Sequence, residues 1–173
     1  NITNQAVGQI TAQNGDAVFI GSGGTATVQN DGSIETFAQG NGIRIDGGTG
    51  ITGGSITNNG SITTSGASSD AISANRFSGT IDSQGSISAG GANSNGISVT
   101  TTSQTTVTNG GSISVSGLEG DGIVINTAGS GSVTNQAGGS ITVDGDGGAG
   151  IHVGSGAAIT RITNSGDITT NGE

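Results

Sequence analysis

Two acidic pairs have a spacing that acid–base chemistry could use. Asp144 and Asp146 lie in Val143-Asp-Gly-Asp-Gly-Gly148, and Glu119 and Asp121 in Leu118-Glu-Gly-Asp-Gly122. Glycoside cleavage needs two carboxylates about 5–9.5 Å apart, one donating a proton and the other attacking or activating water. Both pairs fall in Gly-rich turns, where a solvated acid is the ordinary outcome. Glycan-cleaving grooves also use aromatic side chains, and the chain has only Phe19, Phe37 and Phe77. With no Lys and three Arg, a lyase has few groups to serve as its base. The reading is that the chain is not an enzyme, with no catalytic residue and no cofactor.

Metal chemistry fares similarly. Asp144-Gly-Asp146-Gly opens like a calcium loop, but the bidentate acid that such a loop needs at its twelfth position would be Ser155. Calcium-binding β-helix repeats recur every nine residues, and no such period is present. A weak cation site at Asp144 and Asp146 is kept as an open alternative, and no metal site is expected. His152 is the only histidine. A single His builds neither a metal site nor a triad. It stands between Ile151 and Val153, so it is expected to point outward as surface decoration.

The elements that must position these residues are repeats. A first aliphatic anchor recurs as Ile2, Val28, Ile56, Ile81, Val107, Val133 and Ile162, in steps of 26, 28, 25, 26, 26 and 29 residues. A second follows across a polar turn: Ile10, Ile34, Ile62, Ile87, Ile113, Ile141 and Ile168. An i, i+2 pair closes each unit: Val18/Ile20, Ile43/Ile45, Ile72/Ala74, Ile97/Val99, Ile123/Ile125 and Ile151/Val153. That spacing is strand periodicity, and no helical spacing is sustained anywhere. The units are therefore rungs, running 1–27, 28–55, 56–80, 81–106, 107–132 and 133–161, with a seventh begun at Ile162. One rung cannot cover its own apolar face, whereas stacked rungs set Ile on Ile about 4.8 Å apart. The expectation is an all-β, single-stranded parallel β-helix of about six rungs, each with three short strands. It forms one domain over residues 1–173, with no helix longer than one turn.

Departures from the pattern are few. The second unit carries an insertion, Asp46 to Ser55, with an extra Ile51. The third has Ala74 where other units keep Val or Ile, and nearby Phe77 is a candidate to fill the gap. The loop from Thr100 to Thr106 is all Thr, Ser and Gln. Asn follows the first anchor as Asn4, Asn30, Asn58, Asn109, Asn135 and Asn164, with Ser83 the exception, and stacked Asn side chains can bond along an axis. A second column reads Asp16, Asn41, Asp70, Asn95, Asp121, Ala149. Interleaved amides there keep like charges from stacking directly. A Thr ladder (Thr3, Thr57, Thr108, Thr134, Thr163) is interrupted by Gln29 and Asp82, and β-propensity explains it better than ice binding. The outward position of the closing strand varies most: Phe19, Arg44, Ser73, Ser98, Val124, His152. It is the best sequence-level guess for a contact surface.

Composition limits the function classes. Apolar residues make up 29 % and Gly contributes 37 residues, which would suggest disorder without the periodicity. A net charge of −9 has the wrong sign for nucleic acid or an anionic bilayer. No run approaches transmembrane length and no signal peptide is visible. Absence of Cys fits either a reducing compartment or a surface protein that does not use disulfides. The chain begins at Asn1 without Met, so a fragment or processed product is expected. The full first unit and the seventh, which stops after two strands, suggest a segment of a longer array, or subunits joined end to end.

Ile56-Thr-Asn-Asn-Gly-Ser-Ile62, Val107-Thr-Asn-Gly-Gly-Ser-Ile113 with Gly120-Asp-Gly-Ile-Val-Ile125, and Ile162-Thr-Asn-Ser-Gly-Asp-Ile168 resemble units of autotransporter passenger domains and surface adhesins. The resemblance covers essentially the whole chain and encodes a coil rather than a site. It implies a right-handed β-helix on the outer surface of a Gram-negative bacterium, with a membrane-anchoring barrel outside this sequence. Phage tail fibres use similar coils. The implied function is a non-enzymatic structural or adhesive module, with a self-assembling fibre subunit as alternative and a carbohydrate-active enzyme behind both. Implied partners are a host or cell-surface protein or glycan, or further copies of the chain.

Overall fold

The computed structural model describes residues 1–21, 23–101, 104–127 and 130–173. Ser22, Thr102, Ser103, Ala128 and Gly129 lie outside them, including two residues of the expected Thr/Ser/Gln loop. The described chain is an all-β solenoid without helix, and every strand pair is parallel.

The middle strands of all rungs, from Gln9–Ala12 to Asp167–Thr170, form one 7-stranded sheet. First and closing strands share the other, 11-stranded sheet. This changes one expectation. Ile43–Asn58 and Ile72–Ser83 each run unbroken from the closing strand of one rung into the first strand of the next. The insertion at 46–55 is therefore carried mostly as strand, paired to the rung above through Asp46 to Asn75 and Ile51 to Phe77. Register shifts on either side of Ile51 absorb the extra residues as bulges.

Like stacks on like throughout. Ile87, Ile113 and Ile141 are direct register partners, as are Ile72, Ile97, Ile123 and Ile151. The anchors of rungs two to five are all buried. Phe77 is also fully buried in the cluster containing Ala74, with its ring against Gly54. The middle strands add an inward position that the aliphatic pattern did not reveal: Thr36, Thr64, Ala89, Val115 and Val143. The two buried hydroxyls there bond Gly40 O at 3.0 Å and Ser69 O at 2.7 Å, which removes the cost of burying them.

Glycine sets how closely the corners approach. In the motif Gly-x-Ile, a methyl group on Gly60, Gly85 or Gly111 would overlap the carbonyl oxygen of the equivalent glycine one rung below. The same holds for Gly91, Gly117 and Gly145 at the next corner. A Cβ at Gly42, Gly96, Gly122 or Gly150 would strike the Cγ2 of Ile62, Ile113, Ile141 or Ile168 across the coil, so these glycines fix its width.

Ile113 is 1 % exposed and Ser114 faces solvent. Ile113→Asp should cost more than about 4 kcal/mol, because it strands a charge in an apolar column. Ser114→Asp should stay within about 0.5 kcal/mol. Denaturant midpoints of the two variants check this, and equal losses would contradict the facing.

Candidate functional site

The inward Asn column forms a buried ladder. Asn4 Nδ2 donates to Asn30 Oδ1 at 2.8 Å, and Asn30 Nδ2 to Asn58 Oδ1 at 2.7 Å. Above, Asn109 donates to Asn135 at 2.9 Å and Asn135 to Asn164 at 2.8 Å. The same amides reach backbone carbonyls of the next corner, at Ser61, Ser86, Ser140 and Asp167. Ser83 breaks the ladder. Its hydroxyl accepts from Asn58 at 3.2 Å, but it is too short to reach upward, and buried Asn109 Oδ1 has no partner among the described residues. An orphaned acceptor of this kind costs about 1–3 kcal/mol. Ser83→Asn should supply the missing donor, gain about 1 kcal/mol and raise the melting temperature by about 2–4 °C. Calorimetry of the two proteins tests it, and a lower melting temperature would refute the account.

The acid and amide column forms a second ladder that ties side chains to backbone. Asp16 Oδ1 accepts from Asn41 N and Nδ2, both at 2.8 Å. Asn41 Oδ1 accepts from Asp70 N, Asp70 Oδ1 from Asn95 N and Nδ2, and Asn95 Oδ1 from Asp121 N, all at 2.8–2.9 Å. Asp121 Oδ1 closes the series on Ala149 N at 2.8 Å. The alternation follows from hydrogen-bond inventory as well as charge, since only the amide can both accept from above and donate below.

The second carboxylate oxygen of these acids engages the outward column. Asp16 Oδ2 lies 3.4 Å from Arg44 Nη1, and Asp121 Oδ2 lies 2.8 Å from His152 Nδ1. His152 is thus outward, as its position requires, but it is partnered rather than mere decoration. Asp70 accepts from Ser73 and Ser98 as well as Asn95, yet burial outweighs these bonds and pushes its carboxyl above the ordinary range. A carboxyl raised in this way binds its proton more tightly when folded. It favours the fold below the ordinary value, and that contribution is lost as pH rises through the raised one. Asp70→Asn keeps an acceptor for Asn95 N without the charge. Its melting temperature relative to the parent should therefore rise from about pH 3 to about pH 7. A constant difference across that range would contradict the account.

Arg44 connects this ladder to a cluster. Its guanidinium sits 5.3 Å from the Phe19 ring centroid and pairs with Asp46 at 3.2 Å, and Arg76 pairs with Asp46 at 2.8 Å. Arg76, chiefly through its hydrogen bond, holds the Asp46 carboxyl below the ordinary range, and bonds from Asn59 and Gln29 do the same for Asp31.

The fold brings one acid of each pair singled out in the sequence, Glu119 and Asp146, to a single solvent-open surface cavity with Leu118 and Glu173, while Asp121 and Asp144 are held elsewhere. Glu119 occupies a left-handed turn position (φ 55°) and is exposed, whereas the carboxylate of Asp121 is committed to Ala149 and His152. Ser68, Asn93 and Gly147 hold the same left-handed position in neighbouring rungs, so that conformation belongs to the corner and not to a site. Asp144 accepts from Asn171 Nδ2 at 2.7 Å and Asp146 from Glu173 N at 3.2 Å, each bonding one rung up. Among the described residues, no three His, Cys, Asp or Glu side chains are grouped to hold a metal ion. The Thr ladder stands in register as read, Thr108 on Thr134 on Thr163, with Asp82 and Gln29 in their places.

Sequence reasoning placed Phe19 and Arg44 in one outward column but missed their junction with Asp46 and Arg76. Its signal was composition: one of three Phe and two of three Arg come together on one face. No protein-family model, curated protein or solved structure matches the chain.

Proposed function

We propose that this coil is a non-enzymatic structural and adhesive module of an extracellular bacterial surface protein, comparable to the stalk of an autotransporter passenger. The observation that carries the reading is the unbroken register of the middle strands from Ile10 to Ile168, which makes a rod with long polar flanks. Such a rod holds side chains at fixed spacing along its length, and this suits contact with an extended or multivalent surface. The acids support catalysis poorly, because Asp121 and Asp144 are bonded to other groups, and Glu119 and Asp146, which share a surface cavity, are both solvent-exposed in turns. The expected partner is a cell-surface protein or glycan.

The alternative reading is end-to-end assembly, which the stacking of like on like in parallel register makes geometrically possible. Beads coated with the protein should adhere to cultured cells several-fold more than beads coated with Ile113→Asp protein that has lost its fold. Equal adhesion would refute the adhesive reading. Sedimentation of the same preparation over a wide concentration range separates the alternatives, since growing rods would favour assembly and a constant mass the stalk.

A further inference from the structure

We propose that the outward face of the closing strands, from Phe19 to His152, binds a neutral oligosaccharide laid along the coil axis. The inference rests on reading the coil as a contact module and names its surface and ligand class.

Register places Phe19, Arg44, Ser73, Ser98, Val124 and His152 in one line, one per rung. At about 4.8 Å per rung the line is roughly 24 Å long. Large, exposed side chains stand at its two ends: Phe19 is 56 % exposed, and the His152 side chain 52 %. The floor between them is low, made of two serines and a Val124 that is only 5 % exposed despite facing outward. A linear ligand with one ring per rung fits that outline.

The chemistry of the face selects the ligand. Phe19 offers an exposed aromatic surface to the apolar C–H face of a sugar ring. Arg44 stacks on that ring and is itself braced by Asp16 and Asp46, so the aromatic and the guanidinium are pre-oriented. Beside the floor runs the acid and amide ladder, with Asp46 and Asn75 on its other flank, joined by a 3.3 Å bond from Asn75 Nδ2. The ladder's amides and carboxylates are bonded to one another and to backbone, so vicinal hydroxyls would meet the remaining N–H groups of the half-exposed Arg44 and Arg76. The two arginines are matched by two aspartates, so the cluster carries no net charge. The chain as a whole carries −9, which repels a polyanion. Charge balance and hydroxyl-bonding groups together favour a neutral saccharide over an acidic one.

The test titrates the intact protein with cellohexaose, maltohexaose and laminarihexaose, and with hexagalacturonate as the acidic contrast. Amide NMR shifts and calorimetry are the readouts. At least one neutral hexaose should shift the amides of Phe19, Arg44, Ser73 and Ser98. Phe19→Ala should weaken that binding at least about tenfold, a loss of about 1.4 kcal/mol. Ser98→Trp, which raises the floor, should abolish it, and Phe37→Ala, at an exposed turn outside the face, should leave it unchanged. Melting temperatures confirm that each variant is folded. If Ser98→Trp does not fold, the comparison of Phe19→Ala with Phe37→Ala decides.

The proposal is overturned if no neutral hexaose binds, if Phe19→Ala binds like the parent, or if hexagalacturonate binds best. Beads that adhere to cells while no hexaose binds would remove this site and leave the adhesive reading. Phe19-dependent hexaose binding by a protein whose beads do not adhere would do the reverse.

Discussion

Parallel backbone pairing, with each rung about 4.8 Å above the last, is the constraint on which everything else here depends. It places every residue directly over its counterpart one repeat earlier. A side chain must therefore be compatible with its own kind above and below it. Aliphatics meet that condition by dispersion, which is why Ile and Val fill the core columns. Glycine meets it at the corners, where neighbouring carbonyls come too close for a Cβ.

Polar groups meet the same condition in two ways. The amide of Asn carries both donor and acceptor, so it can repeat without limit, and the inward column is a chain of such amides. A carboxylate has no donor and repels its own kind, so it recurs only with an amide between. The column Asp16, Asn41, Asp70, Asn95, Asp121 obeys this rule and also captures backbone N–H groups at the start of each closing strand. The energetic cost of a break is visible at Ser83. One short side chain leaves the buried acceptor of Asn109 without a partner among the described residues.

The outward faces escape this constraint, because water can serve whatever the neighbouring rung does not. Variation is therefore free there, and the rare residue types collect on one face. Phe19, Arg44, Arg76, Asp46 and Asp16 form a braced, charge-balanced cluster on an otherwise hydroxyl-rich surface. A rigid rod that presents such a face at fixed spacing suits binding to something extended.

The sequence by itself determined the repeat, its step of about 26 residues, the facing of the anchor Ile and Val residues in the inner rungs, and the structural role of the Asn column. These were legible because strand periodicity and like-on-like stacking are local or strictly periodic properties. The Gly-x-Ile motif was equally visible, but its reason was not, since it lies in a carbonyl of the adjacent rung. Tertiary structure alone decided that Ile43–Asn58 and Ile72–Ser83 run through their corners, because pairing across rungs settles how an insertion is absorbed. It alone joined His152 to Asp121, which are 31 residues apart in sequence. It alone bridged Arg44 to Arg76 through Asp46, beyond the Phe19–Arg44 neighbourhood that the outward column already implied. Such contacts depend on which long side chains lean toward one another across rungs, and one-dimensional spacing does not specify that.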